Sequence, residues 1–468
     1  MPIKKESFVE DILKELEEEN VVIFAGAGLS MPAGYVSWID LLKPIADELG
    51  LDIEQEKYDL VSLAQYHVNV NGGNRSQLNK RLLEEFSQAG KITENHKILS
   101  RLPINTYWTT NYDNLIEKSL LEQNKKPDVK FTKQHMSLTV PKRDVIVYKM
   151  HGDINHPNDA VLTKDDYEKY HVKMDLYLST LKGDLLTKTF IFIGFSFTDP
   201  NLDYILSRVR LAGTDQRRHY CFLKKVSQYQ EEEQAIFEYR QRKQELFIGD
   251  LKRFNIRSVL VDEYYDITQI LDEIEKKFKQ KNVFISGAAK EYGEWGRDKS
   301  EQFVSELSKQ LIENGYKIIS GFGLGVGSAV ISGALNAIYN SPLKYSKDDL
   351  IIRPFPQNVH GKELWSKYRQ DMIDYAGIAI FLFGNKEENG KIVLSNGMRE
   401  EFEIAKKNNL ILIPIGATGY ISNEIWEEIK DIYNQNAILQ SIYLELGNHN
   451  KEPKEIIGLI LKFLKQIK

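Results

Sequence analysis

Val21-Val22-Ile23-Phe24-Ala25-Gly26-Ala27-Gly28-Leu29-Ser30 is the stretch from which the fold can be read. Five apolar residues in a row, three of them β-branched, are too few for a buried helix and suit a strand covered on both faces. A turn with two glycines follows at once, and residues 38–50 then show helical spacing. Strand, glycine turn and helix in that order open many nucleotide-binding folds. Upstream, residues 7–19 place Phe8, Ile12, Leu13 and Leu16 at helical spacing, and Asn20 breaks the pattern.

Downstream, short apolar runs at 106–110, 145–150, 189–195, 220–223 and 256–261 read as parallel strands, several of them separated by helical patterns. Residues 267–281 form an amphipathic helix with Ile267, Ile270, Leu271, Ile274 and Phe278 on one face. At Asn282 the pattern restarts. Residues 283–286 are a strand leading into Gly287, 299–314 a helix and 316–320 a strand. The loop Gly321-Phe322-Gly323-Leu324-Gly325-Val326-Gly327 then enters an apolar helix, and later strands fall at 350–352, 378–383 and 410–415. The fold class is α/β, with two Rossmann-like doubly wound domains, residues 1–281 and 282–468. There is no internal repeat.

The 468 residues suffice for two ordinary domains, and 42% apolar with 28% charged residues is a globular balance. A net charge of −5 argues against a broad grip on nucleic acid, though not against a small nucleotide in a local pocket. Cys221 is the only cysteine, and none of the nine histidines forms an HxH or HxxxH pair, so no structural zinc is expected. The first twenty residues are rich in Lys and Glu and lack the apolar core of a signal peptide. The longest apolar runs, 189–197 and 376–383, are too short to span a bilayer. The expectation is a cytoplasmic chain with no membrane or nucleic-acid partner.

In open α/β sheets ligands collect at the carboxyl ends of strands. Gly26 and Gly28 let a backbone approach a pyrophosphate closely, although Met31 stands where the usual dinucleotide fingerprint has its third glycine. Thr109-Thr110-Asn111-Tyr112-Asp113, Lys149-Met150-His151-Gly152 and Gly194-Phe195-Ser196-Phe197-Thr198-Asp199 each follow a strand. Their polar residues converge on one crevice. Asn111 and Asp113 also suit an Asx turn or helix cap, and His151 a core histidine, but both Asn111 and His151 follow strands of one sheet.

This ordered set resembles the sirtuin family over residues 8–280. The resemblance implies that Gly26, Ala27, Gly28 and Ser30 hold the phosphates of NAD and that Ser196 lines the ribose–phosphate path. It further implies that Asn111 positions a water beside the nicotinamide ribose, that Asp113 touches the carboxamide and that His151 is the general base. The residue types fit: breaking the nicotinamide glycosidic bond passes through an oxocarbenium-like state, helped by a positioned water and an imidazole. Deacylating sirtuins carry a four-cysteine zinc module that this chain cannot build, so water is the expected acceptor. A deacylase, an ADP-ribosyltransferase and a non-catalytic nucleotide-binding module are the alternatives.

In the second half, Ser286-Gly287 and the Gly321, Gly323 and Gly325 loop are glycine turns at strand ends. Arg369, the strand-end Gly384 with Lys386, and a helix start at Ser395-Asn396-Gly397-Met398-Arg399-Glu400-Glu401 follow. This resembles the SLOG superfamily of nucleotide-binding domains. By that resemblance Arg369 and Lys386 neutralise ligand phosphates and Glu400 or Glu401 bonds ribose hydroxyls. Asn396 replaces one glycine of the family's pair, which favours sensing over hydrolysis. The two halves together resemble the effectors of the bacterial Thoeris anti-phage system. That implies an NAD glycohydrolase, assembled as a homotetramer or larger. A cyclic ADP-ribose isomer, made by a TIR-domain protein, switches it on to deplete NAD.

Overall fold

A computed structural model describes residues 2–57, 59–86, 90–197, 199–212, 217–355 and 364–467. The chain divides into two compact units, Met1–Glu275 and Lys276–Lys468. In the first, strands β1 (Val21–Ala25), β2 (Thr106–Thr109), β3 (Pro127–Lys130), β4 (Val145–Lys149), β5 (Thr189–Ile193), β6 (His219–Lys224) and β7 (Ile256–Val261) form one parallel sheet in the order 3-4-2-1-5-6-7. Every residue of β1 and β5 is buried, as continuous apolar runs require of central parallel strands. Phe24, Trp108, Phe190 and Phe192 belong to one core cluster, with Trp108 stacked on Tyr148 at 4.1 Å between ring centroids. The helices that connect the strands include Trp38–Glu48, capped by the Ser37 hydroxyl accepting from Asp40 N–H.

The second unit has a parallel sheet of β8 (Asn282–Ala288), β9 (Lys317–Ser320), β10 (Leu350–Ile352), β11 (Ile378–Phe383) and β14 (Ile411–Pro414), in the order 10-9-8-11-14. A hairpin of β12 (Asn385–Glu388) and β13 (Lys391–Leu394) stands apart from it. The α/β class and the two doubly wound sheets are as the sequence implies.

Two elements escape the apolar pattern. β3 is an edge strand whose buried residues are Asp128 and Lys130, 2.8 Å apart, so its inner positions read as polar. The hairpin turns at Asn389-Gly390, both at positive φ (52° and 74°), the two-residue signal of a tight turn. Among the described residues no helix is long and apolar enough to cross a membrane.

Candidate active site

In both sheets the chain changes direction beside its first strand: β2 and β5 flank β1, and β9 and β11 flank β8. In open α/β sheets the ligand crevice lies at such a point, outside the carboxyl ends of the strands. In the first unit the loops after β1 and β5 meet backbone to backbone. Gly26 N–H donates to Ile193 O and Gly28 N–H to Gly194 O, each at 2.9 Å. A Cβ on Gly28 would sit 2.8 Å from Gly194 Cα, so no larger residue fits. Gly26 is buried, whereas Ala27 and Gly28 are exposed and Ser30 is buried.

Asn111 follows β2 and crosses to this loop. Its Nδ2 donates to Gly26 O and Ser30 Oγ, both at 3.0 Å, and its N–H to Thr109 Oγ1 at 2.9 Å. Both amide hydrogens are thereby occupied, which fixes the orientation of Oδ1. Asp113 Oδ1 accepts from Leu115 N–H at 3.0 Å in a tight Asx turn, while Oδ2 is buried with no hydrogen-bond partner among the described residues. The turn reading of Asp113 is thus realised on one oxygen.

His151 follows β4, and its Nε2 lies 2.9 Å from Asp199 Oδ2, both side chains 7% exposed. Asp199 accepts from Tyr167 Oη at 3.2 Å and from Leu202 N–H at 3.0 Å. Burial pushes the Asp199 carboxyl up, but the His151 ring and these donors more than offset it and hold it below the usual carboxylate range. Ser196 is exposed on the loop after β5, and Thr198 lies outside the described residues.

The structure therefore brings Gly26, Ala27, Gly28, Ser30, Asn111, Asp113 and His151 to the carboxyl edge of one sheet. Asp199 and Tyr167 were not assigned by sequence reasoning. Asp199 was visible only as the last residue of a motif, since its pairing joins loops from two separate strands. Among the described residues no group of three His, Cys, Asp or Glu side chains is placed to hold a metal ion.

In the second unit the same arrangement recurs. A Cβ on Gly287 would lie 3.1 Å from Leu382 O, Gly323 packs on Gly287 O and Gly325 on Ala289 O. Gly321 faces the Phe355 ring. Ser286 Oγ donates to Glu401 Oε2 at 2.6 Å, and the buried Arg369 donates to Glu400 Oε2 at 2.7 Å. Arg369 Nε lies 3.5 Å from Glu401 Oε1, and its guanidinium sits over the Phe355 ring at 5.0 Å. Both glutamates thus contact Arg369. Burial pushes the Glu401 carboxyl up despite the donors around it. Lys386 lies on β12, beside Glu388 at 2.5 Å.

Residues 266–467 match the Sir2- and TIR-associating SLOG family, and 105–245 match the SIR2-like domain. The chain is 54% identical to the NAD(+) hydrolase ThsA of Bacillus cereus (strain MSX-D12), over 98% of each chain. The chain belongs to the NAD(+) hydrolase ThsA family. Within that family it is also 48% identical to the ThsA of Acinetobacter baumannii (strain 532279), over 98% of each chain. Defense-associated sirtuin 2 of Bacillus subtilis is 28% identical over 46% of this chain and 22% of its own length.

Proposed function

We propose that the first unit hydrolyses NAD at its nicotinamide–ribose bond and that the second unit is a nucleotide sensor controlling it. The observation that carries this is the meeting of the Gly26–Gly28 turn with Gly194, Asn111 and the His151–Asp199 pair at one switch point, in a chain of this family. The phosphates lie along the backbone of Gly26, Ala27, Gly28 and Ser30, with Ser196 on the outer wall.

Asn111, its amide hydrogens committed to Gly26 O and Ser30 Oγ, presents Oδ1 to a water and orients it toward the anomeric carbon. Asp113 Oδ2 receives the carboxamide N–H. As the glycosidic bond breaks and positive charge develops on the ribose, His151 takes the proton released by the attacking water. Asp199, kept ionised, stabilises the imidazolium that forms. Nicotinamide and ADP-ribose are the products.

In the second unit a cyclic ADP-ribose isomer, supplied by a TIR-domain enzyme, engages Arg369 and Lys386 through phosphate and Glu400 or Glu401 through ribose. The glycine turns at Ser286, Gly287, Gly321, Gly323 and Gly325 let its backbone contacts form. The full enzyme is a homotetramer that depletes NAD during phage infection and stops the cell. The boundary between the two functions lies at residues 281–282. The test is NAD cleavage by the full chain with and without cyclic ADP-ribose isomers, using Asn111→Ala as reference. Asn111→Ala should stay folded and lose at least about 100-fold of the stimulated rate. Near-normal cleavage by that variant removes Asn111 from the mechanism.

A further inference from the structure

Lys149 ends β4, two residues before His151, and its side chain has no exposed surface. Its ammonium donates to Tyr112 O at 3.0 Å, to Asp113 O at 2.6 Å and to Asp153 Oδ2 at 2.5 Å, which occupies all three hydrogens. Glu117 Oε1 stands 3.2 Å away as a fourth, purely electrostatic neighbour. Burial alone pulls a lysine's proton affinity down, but Glu117, Asp153 and Asp113 more than restore it, so the cation persists in the interior.

The partners decide what this cation does. Tyr112 and Asp113 belong to the turn after β2 that carries Asn111, and Asp153 belongs to the turn after β4 that carries His151. Asp153 is itself held, its Oδ1 accepting from Asn155 N–H at 2.9 Å and Asn155 Nδ2 at 2.8 Å. A fold in need of stability alone does as well or better with an apolar side chain at such a place, because desolvating an ion pair consumes most of its attraction. A three-pronged donor between two turns serves a different need: it fixes one turn against the other.

We propose that Lys149 is the positioning residue that holds Asn111 and His151 in register across the crevice. The inference rests on the reading of Asn111 and His151 as the NAD-cleaving pair. A water placed by one turn and a base placed by the other lose their alignment if the turns slide by about an ångström, a displacement worth about 100-fold in rate. The phosphate loop is tied to Ile193 and Gly194 as well as to Asn111, and the first two ties do not run through Lys149, so its loss weakens NAD binding less than turnover.

The experiment uses the full chain in the presence of a cyclic ADP-ribose isomer that stimulates the parent, and compares Lys149→Met, the charge-balanced pair Lys149→Gln with Asp153→Asn, and Asn111→Ala. Thermal melting reports folding, calorimetry counts NAD-binding chains, and cleavage is expressed per binding-competent chain. The expected result is a KM and Kd within about threefold of the parent and a kcat about 100-fold lower. An unchanged kcat per competent chain overturns the proposal and leaves Lys149 a stability role, as does failure of both Lys149 variants to fold. A raised KM with kcat retained overturns it too. Wild-type cleavage by Asn111→Ala defeats the assignment of the pair itself, and the proposal with it, whatever the Lys149 variants do.

Discussion

His96 is 2% exposed, with Nδ1 against Thr93 Oγ1 at 2.7 Å and Nε2 buried without a partner among the described residues. Burial pushes its pKa down from the ordinary 6.5 to about 4, although Asp113 pulls the other way. His219, whose Nδ1 accepts from Phe190 N–H at 3.2 Å, is likewise pushed to about 4 by burial and by the Arg217 charge. Between pH 4 and 6.5 the unfolded chain therefore binds protons at these sites that the folded chain refuses, so stability falls as pH falls through that window. Each histidine contributes roughly 3 kcal/mol to the loss once pH drops below its folded value. The melting temperature of the first unit should decline from pH 6.5 toward 4, and a His96→Gln, His219→Gln double variant should decline much less. Equal acid slopes in parent and double variant would show that other groups govern acid sensitivity.

At the scale of elements, the contact between the β1 and β5 loops is made by glycine on both sides. Gly194 has φ +65°, and a Cβ there would overlap the backbone at Gly28 and Leu29. Gly194→Ala must move one loop away from the other, at a cost of about 1–3 kcal/mol in strain, and should reduce NAD cleavage at least tenfold with the fold retained. Gly183→Ala is the control: it lies in the helix Asp175–Thr187 with open space around it, and should stabilise by roughly 0.5–1 kcal/mol without touching activity. Normal cleavage by Gly194→Ala would mean that the loops need not meet. Elements such as these were legible because burial on both faces turns β1, β5 and β11 into unbroken apolar runs. β3 was not, because Asp128 and Lys130 satisfy one another inside the fold, and charge at an inner position looks like surface in one dimension. The site shows the same divide. Glycines and strand-end Asn111 and His151 declare themselves locally, whereas Asp199 and Lys149 take their meaning from partners on other strands, brought close only by the strand order.

For the molecule as a whole, control requires that a ligand of the second unit favour an active state over a resting one; tight binding to both shifts nothing. Moving the population from almost wholly off to almost wholly on needs roughly 5 kcal/mol of differential affinity, which coupling among subunits can share. On the proposed effector site, Arg369 is where that difference arises. It is already engaged by Glu400, so an arriving phosphate competes with a carboxylate for the same guanidinium and must free Glu400 or rearrange it. Arg369→Ala should abolish stimulation by cyclic ADP-ribose isomers, measured as calorimetric binding and as NAD cleavage, while the first unit melts as before. A variant that binds and responds normally would move the effector site elsewhere. The order of the two units along the chain has its own consequence. A ribosome finishes Met1–Glu275 before it begins Lys276–Lys468, and at about 5–20 residues per second the rest takes on the order of ten to forty seconds. On the proposed division of labour, a nascent NAD-cleaving unit is present during that interval without its sensor. On that proposal, restraint in the interval falls to the first unit itself, where Asn111, Asp113 and His151 are each less than a tenth exposed.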